Sequence, residues 1–102
     1  MTDYLKKMKT FEEGFDLIVK DLKDLIIRKQ KDYGHGNILK FGQLGVMVRV
    51  SDKFERLINL WKKGTTPKNE TVIDTWQDIA NYAIIWLMLE KKVFDLPLKD
   101  DR

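Results

Sequence analysis

Cysteine is absent from this chain of 102 residues, and His35 is the one histidine. Disulfides and cysteine-based zinc sites are therefore excluded, and a histidine-based zinc site lacks ligands. Long apolar runs are also missing, because the longest, Tyr82 to Leu89, is too short to span a membrane. The first residues lack the apolar core of a signal peptide, so we expect a cytoplasmic protein without a membrane partner.

A large basic block is missing too. The 19 basic and 16 acidic residues are well mixed and leave a net charge of +3, so a nucleic-acid partner is not expected. What the chain does have is 43% hydrophobic residues, enough for the core of one small soluble domain over residues 1–102. A chain this short buries a modest fraction of its surface, which favours a homo-oligomer, a dimer or tetramer.

Hydrophobic spacing predicts three helices and no strand. They run from Thr10 to about Lys31, from between Phe41 and Gly45 to about Lys63, and from near Asn69 or Thr71 to Lys91–Lys92. Thr10 and Glu13 have the spacing of a capping box, and Gly64 suits the C′ position of the second helix. The predicted fold is an all-α bundle of three main helices, completed by oligomerisation. We expect loose termini at 1–9 and 95–102, with a docking contact from Phe94 or Leu96.

A polar stripe runs along the otherwise apolar third helix. Asp74, Asp78 and Asn81 share one face, which Glu70 extends towards the helix start. Acids near a helix start complement its dipole, so a structural role for Glu70 and Asp74 is as well supported as a functional one. Asp78 and Asn81 lie too deep for capping. A partly buried carboxylate without a partner costs several kcal/mol, so a cation should meet this face.

The second helix carries a second acidic pair. Asp52 and Glu55, spaced i, i+3, point away from the main apolar stripe, and periodicity alone slightly favours a solvated surface. Arg49, Lys53 and Arg56 form a neighbouring basic stripe. In the alternative, the D-x-x-E of this helix faces the D-x-x-N of the third. Three carboxylates and an amide would then suit Mg²⁺ or Mn²⁺.

The order D-x-x-E, then D-x-x-N resembles the all-α NTP pyrophosphohydrolase superfamily, the MazG-like and dimeric dUTPase-like enzymes. Their usual pattern is E-E-x-x-E on one helix and E-x-x-D on the next. The segments KDYGHGN, FGQLGVMVRVSDKFERL and DTWQDIANYAII are similar to the phage and bacterial family called nucleotide modification associated domain 1. The similarity covers about Lys29 to Leu89. Ser51 and Asn81 are neutral where the superfamily has acids.

The resemblance implies an oligomeric helical bundle that hydrolyses a nucleoside triphosphate to monophosphate and pyrophosphate with Mg²⁺. By the same resemblance, Asp52, Glu55 and Asp78 would be catalytic metal ligands. Asn81 would be a further ligand or support one, and Asp74 or Glu70 would supply the missing charge.

If the protein is such an enzyme, the nearest cations and the loop between the first two helices are the candidates for substrate binding. These are Arg49, Lys53 and Arg56 for phosphate, Lys31 and Lys29 as second choices, and Tyr33 and Asn37 in the loop 32–37 for the nucleoside. Tyr33 would stack on the base and Asn37 would read its edge. An ordinary turn with Tyr33 in the core is the alternative, because the glycine pattern here is a weak signal. His35 is interpreted as a loop residue, and Trp61, Trp76 and Trp86 as core or subunit-interface residues.

Two other functions stay open at this point. The weakened acidic motif also fits a nucleotide-binding module that sequesters or senses a nucleotide without hydrolysis. A small phage-type regulatory protein, whose acidic stripes face a basic partner, is the third hypothesis.

Overall fold

The computed structural model describes residues 7–99, which fold as a small all-α bundle. Three long helices follow one another: α1 (Phe11–Tyr33), α2 (Gly36–Lys62) and α3 (Glu70–Glu90). No strand occurs between residues 7 and 99. The all-α prediction is confirmed. Residues 1–6 and 100–102 of the predicted loose termini lie outside the described range.

Local capping fixes where α1 and α3 begin. The Thr10 hydroxyl oxygen accepts the backbone N–H of Glu13 at 3.1 Å and donates to the Glu13 carboxylate at 3.2 Å. At α3, the Asn69 side chain accepts the N–H of Thr71 at 2.8 Å. The bonds from the N–H groups of Glu13 and Thr71 each satisfy a backbone donor that has no partner within its helix, so both predicted starts are confirmed.

The ends of α2 and α3 share one hydrogen-bonding pattern. Gly64 has φ 75° after α2, and the N–H of Thr65 reaches back to the Leu60 carbonyl. After α3, Lys92 has φ 59° and the N–H of Val93 reaches the Met88 carbonyl in the same way. Both ends are Schellman motifs, the second with a lysine in the left-handed conformation that usually belongs to glycine.

The junction of α1 and α2 is shorter than the sequence predicts. The predicted loop 32–37 shrinks to Gly34 and His35, and α2 already begins at Gly36. Gly42, with φ 61° and ψ −151°, then interrupts α2, so its regular part begins where the sequence placed the whole helix. The short helical piece between Gly34 and Gly42 carries too little apolar periodicity to be seen in the sequence.

The core lies where α2 and α3 pack together and the C-terminal segment folds back. Val46, Ile85 and Phe94 are buried, with Trp86 and Ile26 of α1 packed against them. The docking contact predicted for the tail is therefore made by Phe94, whereas Leu96 is exposed.

Much apolar surface remains outside this core. The most exposed large apolar residues of α1 and α2 are Phe11, Tyr33, Phe41, Leu44 and Trp61. Trp76 is also half exposed, and its ring meets Phe54 edge-on. Within residues 7–99, no helix combines the length and apolar character needed to cross a lipid bilayer.

Candidate functional site

One carboxylate joins all three helices. Asp78 of α3 accepts from Lys29 of α1 at 2.7 Å and from Lys53 of α2 at 2.9 Å, one lysine on each carboxylate oxygen. Its side chain is 18% exposed. The prediction that a cation meets this face is confirmed, with two cations in place of one. Lys29, only a second choice from the sequence, is central.

The electrostatics of Asp78 reflect two opposing effects. Burial favours the neutral carboxyl and raises its pKa, but the hydrogen bonds and positive charges of Lys29 and Lys53 lower the pKa by more. The net result is a pKa below the ordinary aspartate value of 3.8. Asp78 is therefore ionised at neutral pH, and both lysines are bound to a full negative charge.

Asn81, one helical turn further along α3, is 5% exposed. Its side-chain amide donates to the backbone carbonyl of Leu22 in α1 at 3.3 Å, which fixes the orientation of the side chain. Its Oδ1 atom is buried and accepts no hydrogen bond from residues 7–99. A buried polar atom without a partner is costly, so Asn81 holds an acceptor ready for a donor or a cation.

A pocket of about 300 Å³ opens beside these two residues. All three helices contribute to its wall, including the apolar side chains of Ile26 and Ile85. The lining also includes three cationic residues and two residues next to the helix junction: Lys29, Arg49, Lys53, Tyr33 and Asn37. A concave site with a few convergent polar groups is typical of small-molecule binding.

The junction of α1 and α2 forms the rim of the pocket. Tyr33 is 77% exposed, so the alternative that placed it in the core is wrong. Asn37 is exposed as well. His35 takes the packing role instead: its ring bonds to Gln30 at 2.6 Å and meets the buried ring of Phe94 edge-on at 5.4 Å. His35 thus positions the rim without lining the pocket.

Asp52 and Glu55 lie elsewhere. Both are exposed, and they line a separate groove together with Arg56 and Lys63. The D-x-x-E of α2 therefore does not face the D-x-x-N of α3, and the solvated surface that periodicity slightly favoured is observed. Across residues 7–99, no three Asp, Glu, His or Cys side chains group together as a metal site.

The remaining predicted residues lie outside the pocket wall. Asp74 and Arg56 are exposed and line a neighbouring groove that also touches Lys29 and Asp78. Lys31 is exposed and is not part of the pocket wall. These three residues contribute charge near the pocket, but their side chains do not line it.

The sequence interpretation named Tyr33 and, as a second choice, Lys29, but it missed Ile26 and Gln30 and did not predict that α1 forms one side of the pocket. Ile26, Lys29, Gln30 and Tyr33 line the pocket and are spaced i, i+3, i+4 and i+7, which places them on one helical face. That spacing was available in the sequence. Because the four residues differ in polarity, this helical face does not stand out as an apolar stripe in the sequence.

The comparison with protein families bears on this same region. The family model for nucleotide modification associated domain 1 matches residues 29–89, more than half of the chain. The chain belongs to this family. The matched range of this nucleotide modification associated domain contains Lys29, Arg49, Lys53, Asp78 and Asn81, so all the charged residues of the pocket wall lie within it. No curated protein and no solved structure matches the chain.

Proposed function

We propose that this protein binds a nucleotide or deoxynucleotide in the pocket between its three helices. The observation that supports this most directly is the convergence of Lys29, Arg49 and Lys53 on a pocket with an exposed tyrosine at its rim. Cationic side chains recognise phosphate, and an aromatic ring offers a stacking surface for a base. The name of the family, which links it to nucleotide modification, agrees with this proposal.

Arg49 is the cation most free to meet a ligand. It is half-buried and makes no ion pair or side-chain hydrogen bond with any residue of the described range, whereas Lys29 and Lys53 already donate to Asp78. A guanidinium presents several N–H donors in a planar fork that matches phosphate oxygens. Arg49 would thus form the primary phosphate contact, while the two lysines use their remaining N–H donors.

The rim residues would recognise the nucleoside. Tyr33 precedes Gly34, whose φ of 71° turns the chain between α1 and α2, and Asn37 follows in the first turn of α2. Tyr33 would stack on the base and Asn37 would hydrogen-bond to its edge. Both side chains are exposed at the mouth of the pocket, so they can reach a ligand without disturbing the core.

Calorimetric titration with each ribo- and deoxyribonucleotide tests this function. We expect Arg49→Gln to weaken binding roughly 10- to 100-fold, the usual loss for a hydrogen bond to a charged group. Arg28→Gln is the matched control, because Arg28 lies beside Lys29 on α1 but is exposed and outside the pocket wall. Equal affinity in wild type and Arg49→Gln would remove the pocket from consideration. No binding of any nucleotide would favour the regulatory interaction protein.

Hydrolysis dependent on Mg²⁺ or Mn²⁺ is the second function we propose, because Asp78 and the unpartnered Oδ1 of Asn81 lie one turn apart on the pocket wall. Mg²⁺ is often held by one or two carboxylates together with substrate phosphates, and these two oxygen donors fit that arrangement. When bound, the metal would lower the pKa of a water and offset phosphate charge. The wider relation to the NTP pyrophosphohydrolases belongs to this proposal, as do metal-ligand roles for Asp52 and Glu55.

A turnover assay separates the two functions. The protein is incubated with each triphosphate and Mg²⁺ or Mn²⁺, and monophosphate and pyrophosphate are measured after ion exchange. Products that disappear in Asp78→Asn would support hydrolysis. Binding without products would support the nucleotide-binding module.

Self-association is the third part of the proposal. The exposed apolar side chains of α1 and α2 and the small buried core support a homo-oligomer that covers part of this surface. Sedimentation equilibrium would give the mass directly. A single species of 12.1 kDa at micromolar concentration would contradict it.

A further inference from the structure

We propose that Asp78 makes the pocket selective for a dianionic ligand, a nucleoside monophosphate in preference to a free triphosphate. This inference rests on the proposed nucleotide-binding function. The role assigned to Asp78 here is to determine specificity through its negative charge. This role needs no bound metal.

The charge of the pocket wall supports this assignment. Lys29, Arg49 and Lys53 contribute three positive charges, and Asp78 contributes one negative charge, which leaves two positive charges. In the neighbouring groove, Arg56 and Asp74 offset each other. A phosphate monoester carries about −1.5 to −2 charges at pH 7, close to the charge that the pocket neutralises. A free triphosphate carries roughly twice that charge and would exceed it.

The hydrogen bonds of Asp78 explain how the selection would work. Its two oxygens occupy one donor of Lys29 and one of Lys53, and each ammonium retains two further N–H donors. One phosphate can accept hydrogen bonds from these lysines while they stay bound to the carboxylate. It can accept further hydrogen bonds from Arg49. The further charge of a second or third phosphate has no additional cation on the pocket wall formed within residues 7–99, and the Asp78 carboxylate on the same wall would repel it.

The size of the pocket favours the same ligand. Its volume of about 300 Å³ is at the lower end of the range for small-molecule sites. A mononucleotide suits this space better than a triphosphate does. Size and charge therefore favour the smaller ligand independently of each other.

The test is a calorimetric titration in EDTA with the mono-, di- and triphosphate of one nucleoside. Wild type should bind the monophosphate most tightly. Asp78→Asn removes the negative charge while preserving shape, and it should tighten triphosphate binding roughly tenfold or more and reverse the order. Asp24→Asn is the matched control, because Asp24 also pairs with a lysine but is exposed on α1 outside the pocket. That variant should keep the wild-type order.

The outcomes distinguish this inference from the proposed function. If metal-free wild type binds the triphosphate more tightly than the monophosphate, Asp78 is not selective, although nucleotide binding stands. Weaker triphosphate binding by a folded Asp78→Asn variant, judged by circular dichroism, would overturn the inference in the same way. If no nucleotide binds to wild type or to Asp78→Asn, the proposed function fails and the inference fails with it. The wild-type order alone decides the matter if the variant does not fold.

Discussion

Two polar motifs with the same i, i+3 spacing lie in different environments in this molecule. Asp52 and Glu55 of α2 are exposed beside a surface groove, whereas Asp78 of α3 is bound by two lysines and Asn81 is buried. The spacing of a motif identifies which residues share a helical face, but the orientation of the helix decides what that face meets. Here the same α2 that exposes Asp52 turns its neighbour Lys53 towards Asp78, because consecutive helical residues point about 100° apart.

The largest expected effect comes from removing the cations and leaving the carboxylate. In the double variant Lys29→Met and Lys53→Met, Asp78 would be a half-buried charge without a partner. We expect the free energy of unfolding at pH 7 to fall by about 2–3 kcal/mol, measured by urea denaturation.

Two further variants check the cause of that loss. Adding Asp78→Asn to the double variant should restore part of the stability, because the unpaired charge is removed. Lys62→Met with Lys63→Met is the matched control at the exposed end of α2 and should change little. Similar losses in both double variants would show that the ion pairs of Asp78 contribute no more to the free energy of unfolding than exposed lysines do.

A smaller effect should appear with pH. The pKa of Asp78 is lowered on folding, so its ion pairs stabilise the protein above the unfolded pKa of about 3.9 and are lost as the pH falls through the folded value. Wild type should therefore melt at a higher temperature than Asp78→Asn at pH 7. The difference should close as the pH falls below about 4. A difference that stays constant over this range would contradict the assignment of charge to Asp78.

The smallest effect is expected at the exposed motif. Asp52→Asn combined with Glu55→Gln should change the free energy of unfolding by no more than about 0.5 kcal/mol, as is usual at exposed positions. Nucleotide affinity in EDTA should also stay the same. A tenfold change in affinity would show that the two motifs meet in the working assembly, as the superfamily resemblance implies.

The features that depend on neighbours in sequence were predictable. Thr10, Asn69 and Gly64 define helix ends through bonds to residues at most five positions away, and these three predictions are confirmed. The need for a cation at Asp78 was also predictable, because a carboxylate on an apolar helix requires one.

What the sequence did not show depends on three-dimensional packing. Lys29 and Asp78 are 49 positions apart in the chain, so their pairing depends on how α1 crosses α3. The early start of α2 depends on the positive φ values of Gly34 and Gly42, which local periodicity does not encode. The separation of Asp52 from Asp78 likewise follows from the rotation of α2 about its axis.

The attachment of α1 has a consequence for dynamics. No residue of α1 is fully buried, and the helix is held to α3 by the Lys29–Asp78 pair, by the Asn81 bond to Leu22 and by Ile26. Backbone amides of α1 should therefore exchange hydrogen with solvent sooner than those around Val46 and Ile85. Because Lys29 belongs to both α1 and the pocket, a ligand that binds Lys29 would slow this exchange. Occupancy of the pocket could thus be followed as protection along the first helix.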